Sequence, residues 1–197
     1  MQPLKNVILS KFFVTILFLN IHTNLFSQLN HNDSLNYSQT MEADNAFGNN
    51  SKGKIIQNFI LRDKNGKLFT SDSLQSKITF INFWFDGCHP CFAEFEALEK
   101  FYIKNKLRKD FQFISITRDP DSVIDRIRKE HDLTYPIFHL SSDSCKNLKF
   151  NTGYPTNWIV GKNRKIVYSI SGGSNDPSDA DKLLNYFIQS ELDKQLK

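Results

Sequence analysis

Ile78-Thr79-Phe80-Ile81-Asn82-Phe83-Trp84-Phe85 is a nearly unbroken run of β-branched and aromatic residues. Such a run suits a central strand covered on both faces, where no alternation with polar residues is needed. It stops at Asp86-Gly87, and a cysteine pair, Cys88-His89-Pro90-Cys91, follows at once. From His89 to about Leu107, Phe92, Phe95, Leu98 and Tyr102 recur at helical spacing, while Glu94, Glu96, Lys100 and Lys104 occupy other faces. That pattern predicts an amphipathic helix laid on the sheet. The chain must therefore place two thiols where a buried strand hands over to a helix.

The rest of the chain extends this unit. Phe59-Ile60-Leu61 and Lys67-Leu68-Phe69 flank Asp63-Lys64-Asn65-Gly66, and Asn-Gly between apolar runs predicts a leading hairpin. Phe111 to Ile116 reads as a second strand, Pro120 to Asp132 as a helix, Pro136-Ile137-Phe138 as a short strand and Ser142 to Lys149 as a brief helix. Asn157 to Val160 and Lys165 to Ile170 form a second hairpin around Gly161-Lys162-Asn163-Arg164. A last helix carries Ala180, Leu183, Leu184, Phe187, Ile188 and Leu192 on one face. Strands alternating with helices predict an α/β fold whose sheet is largely parallel and closed by an antiparallel pair.

Upstream, Lys5 and Lys11 precede an apolar run from Phe12 to Ile21 that ends near the small residue Ser27. This is the pattern of a secretory signal peptide over residues 1–27. The run is about half the roughly 20 residues that cross a bilayer, so a permanent span is disfavoured. An uncleaved anchor stays open, and no Cys near Ser27 offers a site for lipid. Residues 28–54 are rich in Asn, Ser, Asp and Gly, which predicts a flexible tether before a globular domain at 55–197. The formal charge of +4 falls to roughly +2 without the two leader lysines. With Lys and Arg scattered among acids, nucleic acid is not expected as a partner.

The position of the cysteines suggests chemistry. Cys88 would be the helix N-cap, where unpaired backbone N–H groups and the positive end of the helix dipole stabilise a thiolate. Cys91, one turn on, could then resolve a mixed disulfide by attacking Cys88. Pro90 falls in the first turn, where its missing N–H costs nothing. His89 either adds positive charge near Cys88 when protonated or is exposed filler.

The stretch from Ile81-Asn82-Phe83-Trp84 through Cys88-His89-Pro90-Cys91 to Glu94 resembles thioredoxin-like proteins of the TlpA/ResA type. In that family NFW precedes the active site and a Glu follows the CxxC by three residues. The resemblance spans most of residues 55–190. It implies a thioredoxin-like fold with a central mixed sheet, flanking helices and an added N-terminal hairpin. It also implies dithiol–disulfide exchange in the periplasm or cell envelope, most often as a reductant of client proteins.

The redox-active pair Cys88–Cys91 would itself carry the electrons, with no further cofactor and with an upstream membrane or envelope donor to recharge it. A monomer is expected. Pro155 matches the family's cis-proline, with Tyr154 and Thr156 beside it as the groove for an extended client chain. Glu94 matches the acidic residue that handles protons, although on helical pattern alone it belongs to the solvated surface. Asn82 stands where cytosolic thioredoxins carry a buried Asp. The chain departs from the family at Gly87, where a Trp usually precedes the first Cys, and at Phe85-Asp86, which replace small residues.

Other assignments fit less well. A structural zinc site needs four ligands, and no second CxxC or HxxxH pair exists. A copper carrier would use the two cysteines with a remote His, for which His131 and His139 are the candidates. A purely structural Cys88–Cys91 bridge closes too short a loop to stabilise much. The cysteines also lack the Pro- and Thr-containing loop of a peroxidase. Cys145 is left over and suits a buried small hydrophobe.

Overall fold

The structure, a computed structural model, describes residues 51–63 and 66–197. The leader, most of the tether and Lys64 and Asn65 of the first turn therefore lie outside the described residues.

Among the described residues, seven strands form one mixed sheet flanked by helices. They are β1 (Ile60–Arg62), β2 (Leu68–Thr70), β3 (Ile78–Trp84), β4 (Phe111–Thr117), β5 (Ile137–His139), β6 (Thr156–Val160) and β7 (Ile166–Ser171). Their spatial order is β2-β1-β5-β4-β3-β6-β7. The helices are α1 (His89–Asn105), α2 (Asp121–Glu130), α3 (Ser142–Leu148), α4 (Pro177–Lys182) and α5 (Gln189–Gln195), the last two joined by a π-helical segment, Leu183–Ile188.

The expected elements are present, but the sheet is less parallel than strand–helix alternation predicts. Only β3, β4 and β5 run parallel. α1 and α2 are the two crossovers that a parallel run of three requires, and right-handed connections place both on one face. The connection after β5 reverses the chain, so β6 lies antiparallel to β3, and β7 antiparallel to β6. The leading hairpin is not an appendage, because Arg62 of β1 pairs with His139 of β5 and extends the sheet.

Every residue of β3 is buried, and its side chains divide between two cores. Ile81 and Phe83 join Ile114 and Ile116 of β4, Trp158 and Val160 of β6, and Cys145 and Leu148 of α3. On the other face Phe80 packs on Phe101 of α1 at 4.9 Å and Phe113 of β4 at 5.0 Å, while Trp84 meets Phe95 edge-on at 5.2 Å. Trp84 and Trp158 are both fully buried, core residues as their place in strands implies.

The domain begins earlier than its composition suggests. Ser51 is buried and its N–H donates to Ser169 Oγ. Gly53 donates to the Ile166 carbonyl, and Ile166 donates in turn to that of Lys54. These polar residues are held by backbone pairing to β7, which needs no apolar side chain, so Ser51–Lys54 belong to the folded unit.

Candidate active site

Where β3 ends, Phe85-Asp86-Gly87 turn the chain into α1. Gly87 has φ +85°, a left-handed conformation that suits glycine. Among the described residues, its two chain neighbours apart, nothing lies within 4 Å of where a Cβ would stand. Backbone conformation, and not lack of space, therefore explains why no bulky residue precedes the first Cys. Cys88 is the N-cap of α1 with φ −85° and ψ 92°, and its N–H donates to the Phe85 carbonyl at 3.2 Å. Its own carbonyl accepts from the N–H groups of Cys91 (2.9 Å) and Phe92 (3.1 Å), so the first helical turn wraps the cysteine pair.

Cys88 and Cys91 are joined in a disulfide with Cα atoms 5.2 Å apart. Cys88 is 5% exposed and Cys91 1%, so Cys88 is the less deeply buried of the two. His89 is exposed beside them. Asp86 does not add free negative charge to the rim: its carboxylate pairs with Arg126 of α2 at 2.7 Å. The Asp86 N–H donates to Asp119 Oδ2 at 2.6 Å, which ties the turn to the end of β4.

The largest departure from the helical pattern is Glu94. Read as surface, it is instead 1% exposed. It faces the sheet and accepts from Asn157 Nδ2, 3.0 Å from Oε2 and 3.2 Å from Oε1. Asn157 Oδ1 accepts from Asn82 Nδ2 at 2.9 Å, and Asn82 Oδ1 accepts from Ser115 Oγ at 2.9 Å. Strand register creates this chain, since Asn82 is aligned with Ser115 of β4 and with Asn157 of β6. Burial pushes the Glu94 pKa up to about 8 against the opposing hydrogen bond from Asn157. Its carboxyl is thus held largely neutral at pH 7, as desolvation disfavours the anion.

Asn157 and Ser115 were not singled out from the sequence, although a signal was there. Buried polar side chains in strands need partners, and Asn82, Ser115 and Asn157 are all buried strand residues.

The Tyr154–Pro155 bond is cis, as the family resemblance implied. The Pro155 carbonyl accepts from the Gly172 N–H at 2.8 Å. A Cβ added at Gly173 would lie 3.0 Å from Pro155 Cγ and 3.3 Å from Glu94 Oε1. Pro155, Glu94 and the chain after β7 therefore converge at one point, where a side chain at residue 173 would require its neighbours to give by a few tenths of an ångström. Thr156 is buried, and its hydroxyl donates to the Gly153 carbonyl at 2.8 Å, so it braces this loop from within.

Tyr154 packs edge-on against Phe85 with ring centroids 5.0 Å apart. This contact joins the proline loop to the turn that carries the cysteines. The Lys149 ammonium lies 4.3 Å from the Tyr154 ring, while the Arg118 guanidinium lies 4.2 Å over Phe85 and 5.9 Å from Tyr154. The Tyr154 hydroxyl meets the thiol of Cys145. Burial raises the Tyr154 pKa and pushes the Cys145 thiol up to about 11. Cys145 is thus a buried neutral thiol in the core.

His131 packs on Phe92 and Phe95 at 5.8 and 5.1 Å, and His139 Nδ1 pairs with the Asp119 carbonyl at 2.9 Å. Neither joins the cysteines in a ligand set. Among the described residues no group of three or more His, Cys, Asp or Glu is arranged to hold a metal ion. Among them, too, no helix is long and apolar enough to cross a membrane.

Comparison with known proteins agrees with this geometry. The Redoxin family matches residues 51–184, a span that also begins at Ser51. The thiol-disulfide oxidoreductase ResA of Bacillus cereus is 28% identical over 121 residues, covering 61% of this chain and 69% of the relative. A protein of Chlorobium tepidum assigned as the thiol:disulfide interchange protein DsbE superposes with a TM-score of 0.60 at 20% identity, over 71% of this chain and 96% of that one. The thioredoxin domain of a thiol-disulfide oxidoreductase from Bacteroides vulgatus does so with a TM-score of 0.56 at 22% identity, over 70% and 97%. At such identities these two structures speak for the fold. A cysteine pair capping α1, a buried Glu three residues on, a cis-proline and a family match over two thirds of the chain lead to one assignment: the chain belongs to the Redoxin family, as a thioredoxin-like thiol–disulfide oxidoreductase of the TlpA/ResA type.

Proposed function

We propose that this protein is exported and reduces disulfides in client proteins of the cell envelope. The observation that carries this reading is the placement of Cys88 Sγ at the N-cap of α1, bonded to Cys91 one turn behind. In the reduced state the helix terminus favours the Cys88 thiolate. That thiolate attacks a client disulfide, forming a mixed disulfide and releasing one client thiolate. Cys91 loses its proton and attacks Cys88 Sγ, which frees the second client sulfur and leaves the Cys88–Cys91 bond seen here. Two electrons pass to the client, and a dithiol donor upstream must restore them.

Glu94, in the minority of molecules where its carboxyl is ionised at neutral pH, is the group suited to take the Cys91 proton. It lies one turn further along α1, and its pKa of about 8 is close to that of an ordinary thiol, which suits transfer in either direction. Asn157, held by Asn82, keeps the carboxyl oriented. Pro155 and Tyr154 would dock the client's extended chain, with His89 and Pro90 adjusting the potential of the pair.

Two variants test the assignment. Cys88→Ser should abolish reduction of insulin disulfides, whereas Cys91→Ser should accumulate mixed disulfides with clients, visible on non-reducing gels. Insulin reduction that persists in Cys88→Ser would end it.

A further inference from the structure

The rim of the cysteine site carries a feature that disulfide exchange does not itself require. Phe85, whose carbonyl receives the Cys88 N–H, and Tyr154, next to Pro155, form an aromatic corner. Arg118, at the end of β4, stacks its guanidinium over Phe85 at 4.2 Å and reaches Tyr154 at 5.9 Å. Lys149 lies 4.3 Å from the Tyr154 ring with its ammonium donating to the Gly153 carbonyl. Arg118 at the surface and the buried Lys149 thus border the two aromatics that link the cysteine turn to the proline loop.

The acids nearby are already engaged. Asp86 is paired with Arg126, and Asp119 Oδ2 accepts from Asp86 N–H and Thr117 Oγ1. Arg118 is exposed, and among the described residues its guanidinium donates to no carboxylate. Stacking uses the face of a guanidinium and leaves its N–H edge free, in a fork that matches a carboxylate. Holding the side chain against Phe85 beforehand also lowers the entropic cost of using it.

We propose that Arg118, supported by Lys149, Phe85 and Tyr154, selects client polypeptides bearing an Asp or Glu beside the disulfide to be reduced. This rests on the exchange chemistry proposed above and adds a preference to it. The carboxylate sits against the N–H edge of Arg118 while the client backbone lies along Pro155, so the charge orients the client sulfur toward Cys88. Asp86, balanced by Arg126, does not oppose it.

The test compares disulfide-linked peptides that differ only in having Glu or Gln next to the cysteine. The readout is the second-order rate at which each oxidises the reduced full-length chain. The wild-type chain should react with the Glu peptide about twofold to fivefold faster, the range that exposed charge pairs supply. That ratio should shrink at high salt, as screening requires. Arg118→Gln should bring the ratio to about one, and Arg118→Glu should shift the preference to a Lys peptide.

Equal wild-type rates for the two peptides, or a Glu preference that survives in Arg118→Gln, would overturn the inference. The salt arm needs no variant, so a poorly folding substitution does not protect the idea. Bis(hydroxyethyl) disulfide, which carries no charge, separates the two layers of the proposal. Failure of the reduced wild-type chain to exchange with it as well as with both peptides refutes the exchange reading itself. Exchange with it but no Glu preference refutes only the selection.

Discussion

Glu94 is the residue whose environment departs furthest from its sequence context, and its burial has a measurable consequence. Unfolded, its carboxyl releases a proton near the ordinary 4.5; folded, it holds that proton until about pH 8. Between those values the native state binds more protons than the unfolded one, so stability falls as pH rises through that window and levels off above it. The slope attributable to this one group reaches at most about 1.4 kcal/mol per pH unit. Glu94→Gln, which keeps the shape and an acceptor for Asn157, should remove that slope. Urea denaturation of the disulfide-bonded protein from pH 5 to 9 should show the wild-type midpoint declining relative to the variant. Parallel curves would mean that the carboxyl is not held neutral. The sequence supplied the residue but not its orientation. A Glu on an amphipathic helix is ordinarily outward, and only the polar row beneath α1 makes an inward one tolerable.

At the scale of elements, apolar pattern was an adequate guide wherever burial alone decides structure. β3, α1, β4 and β7 fall within a few residues of the expected limits, because long apolar runs and helical stripes have few alternative ways to be covered. The polarity of β6 relative to β3 was not legible, since pairing direction depends on how the preceding loop turns and leaves no mark in local composition. The C-terminal helix shows a similar limit. Its apolar stripe predicts the buried Leu183, Leu184, Ile188 and Leu192, but not the π-helical segment at Leu183–Ile188. That segment leads into a turn where Gln189 is buried, donating to Asn105 Oδ1 at 3.2 Å and accepting from Asn105 Nδ2 at 2.8 Å. Gln189→Ala would leave the carboxamide of Asn105 short of partners, and should cost about 1–3 kcal/mol in urea unfolding. A loss below a few tenths would show that water replaces the bond.

For the whole molecule, the outline of the domain depends on backbone pairing at its edge. Ser51–Lys54 carry little apolar surface, yet they are fastened to β7 by hydrogen bonds of Ser51, Gly53 and Lys54. Excising these four residues from the full chain should lower the thermal midpoint by several degrees, as loss of about 1 kcal/mol does in a domain of this size. An unchanged midpoint would return them to the tether. The sequence by itself determined the α/β class, the central strand, the helix beginning at the cysteines and the thiol chemistry. Each of these follows from short-range pattern, either apolar periodicity or two thiols at the mouth of a helix. Only the tertiary structure decided the strand directions, the inward turn of Glu94, the row Ser115–Asn82–Asn157 and the meeting of Phe85 with Tyr154. Those depend on register between strands distant in the chain, and no local run of residues encodes which partner will stand across the sheet.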